Sequence, residues 1–218
     1  MTKTVSRLQS VLNTYGIVLI LWSLYRFNLI NTPEWFDEFI AKPLVFLLPI
    51  IFYIKRIEKK PFLEQLWLKN ERISKDLFIG LSIGAIFIIS AFIANYIRFE
   101  HVSVQQSLIS TQFLFVIIIT FATAITEEVF TRGFLLKRIY EEWGNMYSSS
   151  FIVSILFLVI HIPILMTNLQ VSGNVLLLFF ATDFVLSLVT SFVYLDRKSL
   201  IAPILIHALY NVAILIYL

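Results

Sequence analysis

The chain has 218 residues, 59% hydrophobic and only 14% charged, with mean hydropathy +0.86 and a net charge of +3. Soluble domains carry about 25% charged residues, so this is the composition of an integral membrane protein with no room for a separate soluble domain. Cysteine is absent, which excludes disulfides, cysteine-ligated zinc and a thiol nucleophile. The lysines and arginines sit in a few segments between apolar runs, a pattern that reports orientation in a bilayer and not nucleic-acid binding.

The apolar runs predict an all-α, polytopic membrane bundle of about seven transmembrane helices, near 12–30, 40–54, 77–97, 110–139, 148–166, 174–195 and 199–218. The first is read as a retained span and not a signal peptide, because Trp22, Tyr25 and Arg26 follow the apolar run where small cleavage-site residues belong. The second is the weakest. A span needs roughly 20 residues, and Leu44 to Ile54 is too short alone, so the helix must start back in the stretch Phe36 to Lys42 or enter tilted; a re-entrant segment is the alternative. Between the second and third helices, Phe62, Leu63, Leu66, Trp67 and Leu68 suggest an amphipathic element on the cytoplasmic surface, with a solvated connector as the plain alternative. The fourth helix continues to Tyr140, and Gly144 ends it.

With the N-terminus inside, fourteen of the seventeen basic residues fall in cytoplasmic segments, seven of them between Lys55 and Lys75. Lys42 and Arg98 fall outside, and Arg26 lies within the first span. This bias alternates across all seven helices. The expected localisation is therefore the cell membrane, multi-pass, with a cytoplasmic N-terminus, a basic cytoplasmic loop at 55–76 and an external C-terminus.

Polar residues inside these runs are the functional signal. A charge at the bilayer centre costs about 2.5–3.5 kcal/mol on insertion scales, so intramembrane ionisable residues mark sites. Glu127 and Glu128 follow the run Phe113 to Ile125. Glu128 and Arg132 are four apart, the spacing and order of a helical ion pair. Glu127 lies about 100° around the helix, roughly 15 Å above Lys137 and Arg138. It has no obvious local partner and is the carboxylate free for chemistry. His161 follows Phe157 by four on the fifth helix, and His207 and Asn211 share a face of the seventh. Asp183 is a further intramembrane acid, suited to lining a cavity, pairing with a buried base or joining a polar cluster with Thr182.

Such a set suits water activation: a desolvated glutamate as general base with an imidazole beside it, and N–H donors on His207 and Asn211 for an oxyanion. Two histidines and a glutamate are equally a common zinc-ligand set, and the residues alone leave both readings open. The helical zinc motif of two histidines four apart with an adjoining glutamate is missing, as is a serine-nucleophile motif.

Glu127-Glu128-Val-Phe-Thr-Arg132, Phe157-Leu-Val-Ile-His161 and His207-Ala-Leu-Tyr-Asn211 resemble the EExxxR, FxxxH and HxxxN motifs of the CAAX protease and bacteriocin-processing (CPBP, or Abi) family of intramembrane endopeptidases. They occur in the family's order, each on a core helix, with Gly133 after the arginine also family-like. The resemblance covers 110–218 as a catalytic core of four helices and leaves 1–109 as variable N-terminal helices. It implies a membrane endopeptidase cutting a membrane-embedded or lipidated protein or peptide near the cytoplasmic side. Glu127 and His161 would activate water, His207 and Asn211 would stabilise the oxyanion, and Glu128 and Arg132 would support them. Family members are labelled metalloproteases or read as glutamate proteases; no cofactor is expected here, and a zinc, if present, would take Glu127, His161 and His207. The competing functions are a non-proteolytic membrane binding protein of the bacteriocin-immunity type and a small proton-coupled transporter. The transporter is disfavoured by the absence of an internal repeat.

Overall fold

A computed structural model describes residues 6–29, 32–67, 73–102, 113–167 and 173–217. Among them there is no strand, and the helices run α1 (Arg7–Asn28), α2 (34–58), α3 (Ile73–Phe99), α4 (Phe113–Trp143), α5 (Met146–Thr167), α6 (Gly173–Arg197) and α7 (Ile201–Tyr217), with a short 3₁₀ turn at Leu63–Leu66. The all-α polytopic bundle is as expected. Five helices, α1 and α3 to α6, are long and apolar enough to cross a membrane. The expected starts at 110–112, Leu68 and Leu218 lie outside the described residues.

The start of α1 is set by Ser6, whose hydroxyl accepts the Gln9 N–H at 3.1 Å as an N-cap. Its end is fastened to α2: Arg26 Nη1 donates to Asp37 Oδ2 at 2.7 Å. The second helix starts back before Lys42 as its length required, at Glu34, and at 1.5 Å per residue it is about 37 Å long. Its ladder widens to i→i+5 turns, with the Lys42 N–H bonding Asp37 O and a second wide stretch at Tyr53–Glu58. Such turns are frequent at functional sites.

Helix α4 is central. Its second half, Val129–Leu136, is buried all round and again runs in wide turns, because α2, α5, α6 and the 63–66 turn all pack against it. Aromatic contacts tie it to the N-terminal helices: Tyr15 stacks on Phe130 at 6.0 Å, Phe46 meets Phe130 at 5.2 Å, and Tyr53 meets Phe134 edge-on at 5.2 Å. Gly144, in the left-handed region at φ +65, ends the helix as its sequence position suggests, with its N–H on Tyr140 O. Elsewhere α3 lies along α7. A Cβ at Gly80 would stand 2.8 Å from Leu205 Cβ, so the small residue permits the approach. Outward-facing residues such as Phe78, Ile97 and Leu177 are apolar and exposed, as a lipid-facing surface requires.

The segment after α2 differs from a helix lying on the membrane surface. Leu63 is exposed, but Leu66 is buried, and a Cβ on Gly133 would come within 2.9 Å of Leu66 Cδ2. Trp67 stacks on Tyr194, and Lys137 Nζ donates to Gln65 O at 2.9 Å. The apolar residues of this connection pack on α4 and α6, and the glycine after Arg132 leaves room for Leu66.

Candidate active site

All seven motif residues meet in one place. A cavity of about 320 Å³ is lined by Glu127, His161, His207 and Asn211, with Asp183 and Tyr210 on its α6–α7 wall and Glu38 and Lys42 on the α2 side. A larger groove of about 680 Å³ between α1 and α2 is lined by none of the motif residues. The site therefore lies in the smaller, more polar space.

At its centre, Glu127 Oε2 faces His161 Nε2 at 3.6 Å and His207 Nε2 at 3.7 Å. This oxygen is buried and has no hydrogen bond within 3.5 Å among the described residues. Both gaps are too long for direct hydrogen bonds and suit an intervening water. The other oxygen, Oε1, accepts from Lys42 Nζ at 3.1 Å. The expectation that Glu127 has no obvious local partner holds along its own helix, and the partner comes from 85 residues away on α2.

The imidazoles are oriented by different acceptors. His161 Nδ1 lies 2.7 Å from Phe157 O; a carbonyl only accepts, so Nδ1 carries a proton and Nε2 is the atom turned to Glu127. His207 Nδ1 lies 2.7 Å from Glu128 Oε1, so its N–H donates to a carboxylate. Phe157, the aromatic residue of the second motif, is the seat of the cluster: its ring is 4.6 Å from His161 and 5.9 Å from His207, with the Arg132 guanidinium 4.9 Å above it.

Glu128 and Arg132 are both 0% exposed and pair at 3.0 Å. Arg132 also donates to Thr131 Oγ1 and, across to α6, to Ser187 O and Thr190 Oγ1. The pair is thus more than a local i,i+4 contact: one end joins α6 and the other holds His207 on α7. Asp183 lines the cavity and also joins a polar cluster, since Tyr210 donates to it at 2.6 Å and lies 2.9 Å from Thr182 Oγ1.

The residues that sequence reasoning missed are Lys42 and Glu38. Lys42 Nζ sits 2.7 and 2.6 Å from the Glu38 oxygens, and Thr123 Oγ1 donates to Glu38 Oε2 at 2.6 Å. Their one available signal was the i,i+4 spacing of a glutamate and a lysine just before an apolar run. As for a metal, no cluster of three or more His, Asp or Glu side chains able to hold one is present among the described residues. The ammonium already bound to Glu127 also places positive charge where a second cation would have to approach, so the donor set does not fit a metal well.

An all-α bundle with long apolar helices that gathers a glutamate, two histidines and their buried supports at one cavity is a polytopic membrane protein with a buried acid–base cluster. Residues 109–213 match the family model described as Type II CAAX prenyl endopeptidase Rce1-like. The match agrees with the three motifs and supports, in general terms, a CAAX-type intramembrane endopeptidase. No curated protein and no solved structure matches the chain.

Proposed function

We propose that the protein hydrolyses a peptide bond near the C-terminus of a prenylated or otherwise membrane-anchored protein or peptide, by a glutamate-type mechanism in the 320 Å³ cavity. The observation that carries this reading is the approach of Glu127 Oε2 to both Nε2 atoms, at 3.6 and 3.7 Å. A water in that gap has three polar partners, enough to hold it. Glu127 Oε2 takes a proton from the water as its oxygen attacks the scissile carbonyl carbon, and His161 Nε2, its ring fixed by Phe157 O, orients that water. The C–N bond then breaks, and the proton passes to the leaving amine.

The two histidines are not interchangeable. Glu128 takes the Nδ1–H of His207, whereas Phe157 O takes that of His161. With its Nδ1–H on Glu128, a proton on Nε2 lets His207 donate to the developing oxyanion, with Asn211 one turn away as the neutral donor. No step requires a metal, and the Lys42 ammonium beside Glu127 supports a metal-free centre.

The cytoplasmic N-terminus and external C-terminus belong to the same proposal. Purified protein in liposomes, given a farnesylated C-terminal CAAX peptide, should release the terminal tripeptide. Glu127→Gln should abolish the release while leaving folded yield intact, because the amide keeps the shape but cannot take the proton. Full cleavage by this variant would overturn the glutamate-type mechanism, whereas no cleavage by folded wild type would leave the immunity-type binding protein as the better reading.

A further inference from the structure

We infer that Lys42 is a positioning residue of this centre: with Glu38 beneath it, its ammonium captures Glu127 Oε1 and so turns Oε2 toward the two imidazoles. The inference rests on Glu127 being the base, and it brings the N-terminal helices, outside the segment 109–213 that matches the family, into the active site.

Lys42 is only 5% exposed, a costly place for an ammonium unless it is fully paired. It is fully paired. An ammonium has three donors and no acceptor, and Lys42 Nζ has three carboxylate oxygens within reach: Glu38 Oε1 at 2.7 Å, Glu38 Oε2 at 2.6 Å and Glu127 Oε1 at 3.1 Å. A saturated ammonium has no donor left for a substrate carboxylate, so its effect must pass through Glu127.

The surroundings hold the clamp rigid. Thr123, one turn before Glu127 on α4, donates to Glu38 Oε2 at 2.6 Å, so the helix that carries the base also anchors the clamp. The Trp22 ring faces Lys42 Nζ at 5.9 Å, a cation–π distance. The wide turn in which the Lys42 N–H reaches Asp37 O lies between Glu38 and Lys42. Without Lys42, both Glu127 oxygens would lack a fixed partner, and the carboxylate could rotate away from the water site. Misplacing a reacting group by about 1 Å costs roughly a hundredfold in rate.

A purely structural tie between α2 and α4 predicts something different, and three variants separate the two, assayed in liposomes with the farnesylated CAAX peptide. Lys42→Met fills the same volume without charge. Lys42→Met/Glu38→Gln also removes the carboxylate that the first change would strand, which protects the fold. Lys42→Arg keeps the cation. Positioning predicts that the double variant melts near wild type, loses about a hundredfold in kcat and holds KM within about threefold. Lys42→Arg should retain at least a tenth of kcat. The inference is overturned if the double variant cleaves within threefold of wild-type kcat, if the loss appears in KM alone, or if folded Lys42→Arg is as inactive as Lys42→Met. Glu127→Gln in the same assay keeps the two levels apart. An active Glu127→Gln sinks the reading of Glu127 as the base, whereas an inactive Glu127→Gln beside an active double variant sinks only the role of Lys42.

Discussion

Replacing Arg132 by methionine tests how the charges under the cavity are held. The change keeps most of the stem volume but deletes a guanidinium that is 0% exposed and bonded to Glu128, Thr131, Ser187 and Thr190. Breaking a buried ion pair by removing one partner costs about 3–5 kcal/mol, most of it from the charge left behind. The lower end applies here, because Glu128 Oε1 keeps the His207 Nδ1 donor at 2.7 Å. A loss of about 3 kcal/mol corresponds to roughly 6–12 °C in midpoint for a chain of this size. Thermal unfolding in detergent, followed by near-ultraviolet circular dichroism, measures it. Because the penalty is a stranded carboxylate, Glu128→Gln/Arg132→Met should be more stable than Arg132→Met alone by about 1–2 kcal/mol. A midpoint within about 2 °C of wild type for Arg132→Met, or a double variant no better than the single, would refute the reasoning.

Three further outcomes follow. In this cysteine-free chain, single cysteines at Lys60 and Glu100 should react with impermeant thiol reagents only from the cytoplasmic and external sides respectively; the reverse pattern would invert the topology. Burial pushes the Glu58 carboxyl up, but hydrogen bonds and charge from Arg138, at 2.7 and 3.0 Å, and from Arg7 outweigh it and hold the group below its ordinary value of 4.5. Because the folded value is the lower one, this stabilisation is complete above about pH 4.5 and is lost as pH falls through the folded value. The midpoint of wild type should therefore drop more between pH 5 and pH 3 than that of Glu58→Gln, and parallel curves would remove Glu58 from the account. Finally, activity should survive exhaustive chelation, with no stoichiometric metal by elemental analysis; one zinc per chain, lost together with activity in His161→Ala, would establish a metal site instead.

The spans were legible because hydropathy is a summed property of some twenty residues, and a bilayer leaves little choice for such runs. The second helix was the hardest to read for a reason that now has chemical content. Glu34, Asp37, Glu38 and Lys42 break its apolar run, and three of them, Glu34, Glu38 and Lys42, line the cavity. The three motifs were legible because each is a local spacing on one helix. What joins them was not: the bonds from His207 to Glu128 and from Lys42 to Glu127 span 79 and 85 residues, and no periodicity encodes a contact between helices. The fate of Leu66 was hidden in the same way. A short apolar stretch reads alike whether it meets lipid or a helix end, and only the missing side chain at Gly133 distinguishes the two.

The two basic residues that sit least comfortably in the charge count are the two that the site uses. Lys42 was one of only two exceptions outside, and Arg132 was counted among cytoplasmic charges although it lies a full turn and more before Lys137. Both are buried and paired with the carboxylates of the central helix, so neither reports on which side of the bilayer a loop rests. With both set aside, thirteen inside charges stand against Arg98 alone outside, and the orientation argument strengthens. The same reassignment bears on the division near residue 109. Since Glu34, Glu38 and Lys42 line one wall of the cavity and His161, His207 and Asn211 another, the N-terminal helices are part of the site's construction. A chain shortened to the segment that matches the family would lose the Lys42 partner of Glu127.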